Sequence, residues 1–171
     1  MSLIPLVIII LLILGTGYFL LEGEIKFPKF KRGPQIRRLD PFPTVVYTEK
    51  PIEKQRRVIK SEKELNEFLN YIDETGLLTL KEKVNFEKEF VIGVSTDTND
   101  QTDNNLRVKK VYEDQAKSQL IVSVKEEVPG ENCEVTNDKN VAVDLVAISK
   151  TEFNITFDRV KSIKECKRSE K

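Results

Sequence analysis

The first 21 residues carry no charged side chain, and from Leu3 to Leu21 they are apolar apart from Pro5, the Gly15-Thr16-Gly17 break and Tyr18. At about 1.5 Å per residue, roughly 20 helical residues cover the ~30 Å hydrocarbon core of a bilayer. A helix satisfies every backbone group internally, which is what crossing lipid demands. A globular helix of this length normally keeps a polar face, and this segment has none. The run predicts a transmembrane anchor over residues 1–21 and names the lipid bilayer as one partner. A cleaved signal fits less well. The segment opens without Lys or Arg, and its only small-x-small site, Gly15-Thr16-Gly17, is followed by the bulky Tyr18-Phe19-Leu20-Leu21. No cysteine lies near it for a lipoprotein anchor.

Residues 22–40 read as a basic juxtamembrane linker. Lys26, Lys29, Lys31, Arg32, Arg37 and Arg38 are interleaved with Phe27 and Phe30, and Pro28 and Gly33-Pro34 interrupt regular structure. Such residues suit contact with anionic headgroups, at about 1 kcal/mol each near the surface. They equally suit a solvated spacer with snorkelling side chains. Basic residues after the anchor and none before it favour a cytoplasmic soluble domain by the positive-inside rule.

The remainder, 41–171, reads as one soluble domain. Lys plus Arg and Asp plus Glu are both 28, without the basic excess of a nucleic-acid binder. Histidine is absent. That removes the commonest general base and metal ligand, so serine–histidine and cysteine–histidine catalysis cannot come from this chain. Neither a glycine-rich phosphate loop nor any other catalytic or cofactor motif stands out. A non-enzymatic role without cofactor or identifiable small-molecule substrate is therefore expected.

Local patterns give the fold class. Thr44-Val45-Val46-Tyr47-Thr48 is rich in β-branched and aromatic residues, and a second strand is expected near 55–59. Ser61-Glu62-Lys63-Glu64 fits a capping box. Leu65, Phe68, Leu69 and Ile72 then follow at helical spacing, with Gly76 placed to stop the helix. Phe90-Val91-Ile92-Gly93-Val94 reads as a buried strand. Leu106-Arg107-Val108 alternates and slips phase before Val111-Tyr112, as a bulge requires. Leu120, Val122 and Val124 mark one face of another strand, and 141–148 and 153–157 supply two more. One helix followed by a run of strands predicts class α+β: an N-terminal transmembrane helix, then a small antiparallel β-sheet domain packed on one amphipathic helix.

Two further features invite chemistry. The polar stretch containing Asp97, Asn99, Asp100 and Asp103 offers hard oxygen ligands of the kind calcium takes, as a partner or ion loop. It fails the EF-hand pattern, with Thr102 at the turn glycine and Val108 at the bidentate glutamate. Asn and Asp at this density also suit a solvated hairpin loop. Cys133 and Cys166 can form a disulfide in an oxidising compartment, closing a loop of roughly 30 residues, or remain as two thiols.

The order of elements from Val58-Ile59-Lys60-Ser61-Glu62-Lys63-Glu64-Leu65, through Val84-Asn85-Phe86 and the 90–94 strand, to Pro129-Gly130, Cys133 and Ile155-Thr156-Phe157 resembles the PrcB C-terminal domain family. That family is named for a subunit of a bacterial surface protease complex. The resemblance covers residues 58–157 and implies a β-rich, extracytoplasmic domain that stabilises an envelope partner such as a protease. It carries no catalytic residues. This chain departs from the family's threonine- and glycine-rich turn after the 90–94 strand, where 96–105 contains no glycine.

The expected function is a membrane-anchored protein-binding or assembly module with a protein partner in the envelope. A carboxylate-dependent hydrolase requires two carboxyls in one cleft. A calcium-dependent adhesion domain requires convergent oxygens at the polar loop.

Overall fold

The computed structural model describes residues 34–100, 105–130, 133 and 138–165. Residue contacts divide the chain into 1–30 and 31–171, and every described residue belongs to the second unit. The expected anchor over 1–21 and Lys26, Lys29, Lys31 and Arg32 lie outside the described residues, as do Asp103 and Cys166. Among the described residues, no helix is long and apolar enough to cross a membrane.

The element order is β1 (Arg37–Arg38), β2 (Thr44–Tyr47), β3 (Arg56–Ile59), α1 (Glu62–Ile72), β4 (Glu89–Ser95), β5 (Asn105–Asp114), β6 (Gln119–Pro129), β7 (Asn140–Ser149) and β8 (Asn154–Lys164). The domain is α+β and mostly antiparallel, with one short helix among these elements. Its strands form two sheets instead of the one expected. In the first, β3, β4 and β7 lie side by side, and β1 and β2 both pair along the far edge of β7. The second has the order β5-β6-β8, with β5 antiparallel and β8 parallel to β6.

Alternation along β7 organises the layers. Val141, Val143, Leu145 and Ala147 face a core shared with Leu65, Phe68, Leu69 and Ile72 of α1. Ala142, Val146 and Ile148 face the second sheet and pack with Val108, Val111, Leu120, Val122 and Val124. Covering both faces of a strand is why its sequence is an unbroken apolar run except for Asp144. Gly93 on β4 lies where α1 comes closest. A Cβ there would sit 3.0 Å from Ile59, 3.1 Å from Phe68 and 3.2 Å from Leu145.

The helix forms for the reasons its sequence announces. Ser61 Oγ accepts the Glu64 N–H at 3.2 Å, and Glu64 Oε2 accepts the Lys60 N–H at 2.7 Å, one residue earlier than the capping-box pattern places it. Burying its four apolar side chains contributes on the order of 6–12 kcal/mol before entropic costs. Its end differs from expectation. Asp73 closes the helix by donating its N–H to the Leu69 carbonyl at 2.8 Å. Its carboxylate then accepts the N–H groups of Thr75 and Leu78. Gly76, at φ +73°, shapes the turn beyond.

The expected linker also ends sooner than residue 40. Arg37 and Arg38 pair with Ala147 and Val146 in the first sheet, so the folded domain includes residues before 41. β7 offers an open edge there, and the two arginine side chains find carboxylates on the folded domain.

Candidate functional site

The second sheet has two edge strands, β5 and β8, and no described strand pairs with either on its outer side. At the β5 edge the ladder slips between Val108 and Lys110, the bulge anticipated from the phase change. Val108 turns its backbone groups off the sheet. Its N–H donates to Asp144 Oδ2 at 2.7 Å, and its carbonyl accepts Arg38 Nη2 at 2.8 Å. Arg38 Nη1 reaches the same Asp144 oxygen at 3.3 Å. A triangle of β1, β5 and β7 thus satisfies the outward backbone groups of Val108, at the bulge of that edge.

Asp144 is fully buried, and its Oδ1 has no hydrogen-bond partner among the described residues. Burial holds its carboxyl above the usual aspartate range, against the Val108 N–H and the Arg38 and Arg107 charges, which favour ionisation. Its charged neighbours are arginines, whereas a hydrolase pair needs a second carboxyl.

Beside this triangle a cavity of about 290 Å³ is lined by Arg38, Asn105, Arg107, Lys109, Lys125 and Glu127. Antiparallel register brings Arg107 opposite Lys125 and Asn105 opposite Glu127. Lys125 forms an ion pair with Glu127, and its hydrogen bond to that carboxylate is the main reason the Glu127 pKa lies below the ordinary range.

No described strand pairs with β8 on the side away from β6. Asn154 donates its N–H to the Ser118 carbonyl at 3.3 Å, and the Lys164 carbonyl accepts from the Gly130 N–H at 2.9 Å. Both ends therefore turn even-numbered backbone groups toward β6, and alternation turns those of Ile155, Phe157, Arg159, Lys161 and Ile163 outward. Phe157 still packs on the inter-sheet core, whereas Val160 and Ile163 are 47% and 72% exposed.

Where the inter-sheet core ends, Glu126 takes the place of the next apolar side chain. It accepts Arg159 at 2.8 Å and Lys54 at 3.3 Å. Burial disfavours its charge, but these cations prevail and its pKa lies below the ordinary range. Arg56 lies nearby, and burial is the main influence lowering its pKa. Its Nη1 donates to the Gln55 and Ser95 carbonyls, both at 2.6 Å.

The sequence-predicted residues fall in several places. Asp97 Oδ1 accepts the Lys54 N–H at 2.8 Å, and Asn99 donates its side-chain amide to the Asp97 carbonyl at 3.2 Å. With Ser95, Thr96 and Thr98, whose hydroxyls accept N–H groups of Gln55, Ala142 and Ile52, this run ties three segments together. Asp100 is exposed. No group of three or more Cys, Asp or Glu side chains suited to a metal converges among the described residues. Cys133 is disulfide-bonded, and its sulfur lies 3.6 Å from the Lys164 carbonyl oxygen. Arg37 binds Glu89 through two nitrogens, at 3.0 and 2.7 Å, and also pairs with Glu82. Asp144, Arg107 and Lys109 escaped the sequence reading. An acid inside the apolar run 141–148 was the available signal.

No protein-family model, curated protein or solved structure matches this chain.

Proposed function

We propose that the chain is a membrane-anchored protein-binding module whose β8 edge receives an extended segment of an envelope partner. The observation that carries this reading is the open edge of an eleven-residue strand, with backbone donors and acceptors of alternate residues facing away from β6. Strand addition uses such groups for affinity and neighbouring side chains for selection. Val160 and Ile163 offer apolar contact on opposite faces of the added strand. Arg159 and Lys161 guard the edge against indiscriminate self-pairing. The disulfide-bonded Cys133 supports an oxidising, extracytoplasmic setting, in keeping with the resemblance to the PrcB C-terminal domain family.

The test is photo-crosslinking in intact cells from a reactive side chain at position 163. A discrete adduct with one partner protein is expected, and Lys161→Pro should abolish it by removing an outward N–H while leaving the ladder to β6 intact. Persistence of the adduct in Lys161→Pro, with the domain's thermal unfolding unchanged, would defeat the strand-addition reading.

A further inference from the structure

The charges around the cavity beside β5 do not balance. Arg38 is held by Asp144 and the Val108 carbonyl, and Lys125 is paired with Glu127. Asn105 donates its amide to Glu127 at 3.4 Å. Arg107 and Lys109 remain exposed on the same face of β5, and neither makes a hydrogen bond or ion pair among the described residues. Two positive charges therefore stand unmatched at the mouth of a concave site, with Arg38 fixed behind them.

We propose that this cavity binds a phosphate monoester group, with Arg107 and Lys109 as its charge partners and the restrained Arg38 as a third donor. A phosphate monoester carries about −1.5 to −2 charges at neutral pH, which matches the two unpaired cations. A carboxylate would neutralise only one. The arginine fork can donate two parallel N–H bonds to two phosphate oxygens, and lysine adds a point charge. The cavity volume of about 290 Å³ holds a phosphate and the first atoms of its ester group. Asn105, already oriented by Glu127, supplies a neutral amide at the rim. The same chemistry is presented by a phosphatidic acid headgroup and by a soluble phosphate compound. Neither source depends on the strand-addition reading, and Lys161→Pro should leave binding here unchanged.

The test uses the full chain in neutral detergent, with inorganic phosphate as probe and chloride at equal ionic strength as reference. Phosphate should raise the thermal midpoint and slow hydrogen exchange across 105–110. The effect should weaken in mild acid, where phosphate gains its second proton and loses one of its two charges. Replacing both Arg107→Gln and Lys109→Gln should lower the apparent affinity on the order of 100-fold, about tenfold for each charged hydrogen-bond donor lost. Arg107 also favours the ionised form of Asp144, so the effect of phosphate on each chain is read against that chain's own midpoint in chloride. A second arm reconstitutes the chain in phosphatidylcholine vesicles with or without phosphatidic acid. Slowed exchange at 105–110 on adding phosphatidic acid, with inorganic phosphate no longer effective, identifies the lipid headgroup. Slowing by inorganic phosphate alone identifies a soluble ligand. Phosphate that acts no differently from chloride, or that acts equally on the double variant, overturns the proposal.

Discussion

The two edges of the second sheet differ in what the first sheet gives them. At β5, the off-sheet N–H and carbonyl of Val108 are taken up by the buried Asp144 and by Arg38, side chains that arrive from the first sheet. At β8, the outward backbone groups of five alternate residues meet no described strand. Closing an edge with a buried acid is costly, since burial opposes its ionisation and one of its oxygens goes without a partner. That cost falls at β5, beside the first sheet, whereas most side chains of β8 past Phe157 are exposed. The contrast separates a strand edge tied to the other sheet at its bulge from one whose far half faces outward.

The contact of Arg38 with Val108 and Asp144 is the most sensitive point of the β5 edge. Arg38→Ala should destabilise the domain by about 3–5 kcal/mol near neutral pH, because it strands a buried carboxylate. Urea unfolding should show the loss shrinking in acid, where Asp144 is neutral in both variants. Equal loss at all pH values would remove Asp144 from the account.

Next in size is a paired test at β8. Ser162→Pro removes an N–H that faces β6, and should cost about 3 kcal/mol or more. Lys161→Pro, one residue away, should cost less than about 1 kcal/mol because its N–H faces outward. Thermal unfolding of the two variants checks the assignment of faces. Equal losses would mean the β8 edge is not open in the sense drawn above.

A smaller effect concerns pH. Asp144 has its folded pKa raised above the unfolded value of about 3.9. Its contribution to stability is therefore complete below that unfolded value and is lost as pH rises through the folded one. Asp144→Asn removes this slope. Relative to the parent chain, the variant should gain stability as pH rises above the unfolded value, as read from urea midpoints. The smallest effect is at the exposed end of β8, where Ile163→Lys should change stability by no more than about 0.5 kcal/mol. Crosslinking from a neighbouring position should nonetheless fall if Ile163 contacts the partner.

Much of the domain was legible locally. Ser61 and Glu64 mark the helix start because capping involves groups three or four residues apart. Leu65, Phe68, Leu69 and Ile72 mark its buried face because that spacing repeats with the helix turn. The slip after Val108 marked the bulge. Other features depend on distant partners. Arg38 meets Val108 across 70 positions and Asp144 across 106, so it read as part of a basic linker. The polar run near Asp97 looked like an ion loop because Asp and Asn types suit both metals and turns. Its oxygens instead accept backbone N–H groups from the segment before β3, which no local pattern displays.

By itself, the sequence determined the helix over Glu62–Ile72 and its ends to within a few residues, most of the described strands, and the α+β class. Side-chain periodicity and capping act over one turn or one pleat, and both are written in consecutive residues. Only the tertiary structure decided that the strands divide into two sheets, that β8 runs parallel to β6, and that Asp144 and Arg38 meet Val108 at the β5 bulge. Strand pairing joins residues far apart in sequence. An alternating pattern tells which face is buried, but it does not say which neighbour a strand takes or whether it takes one at all.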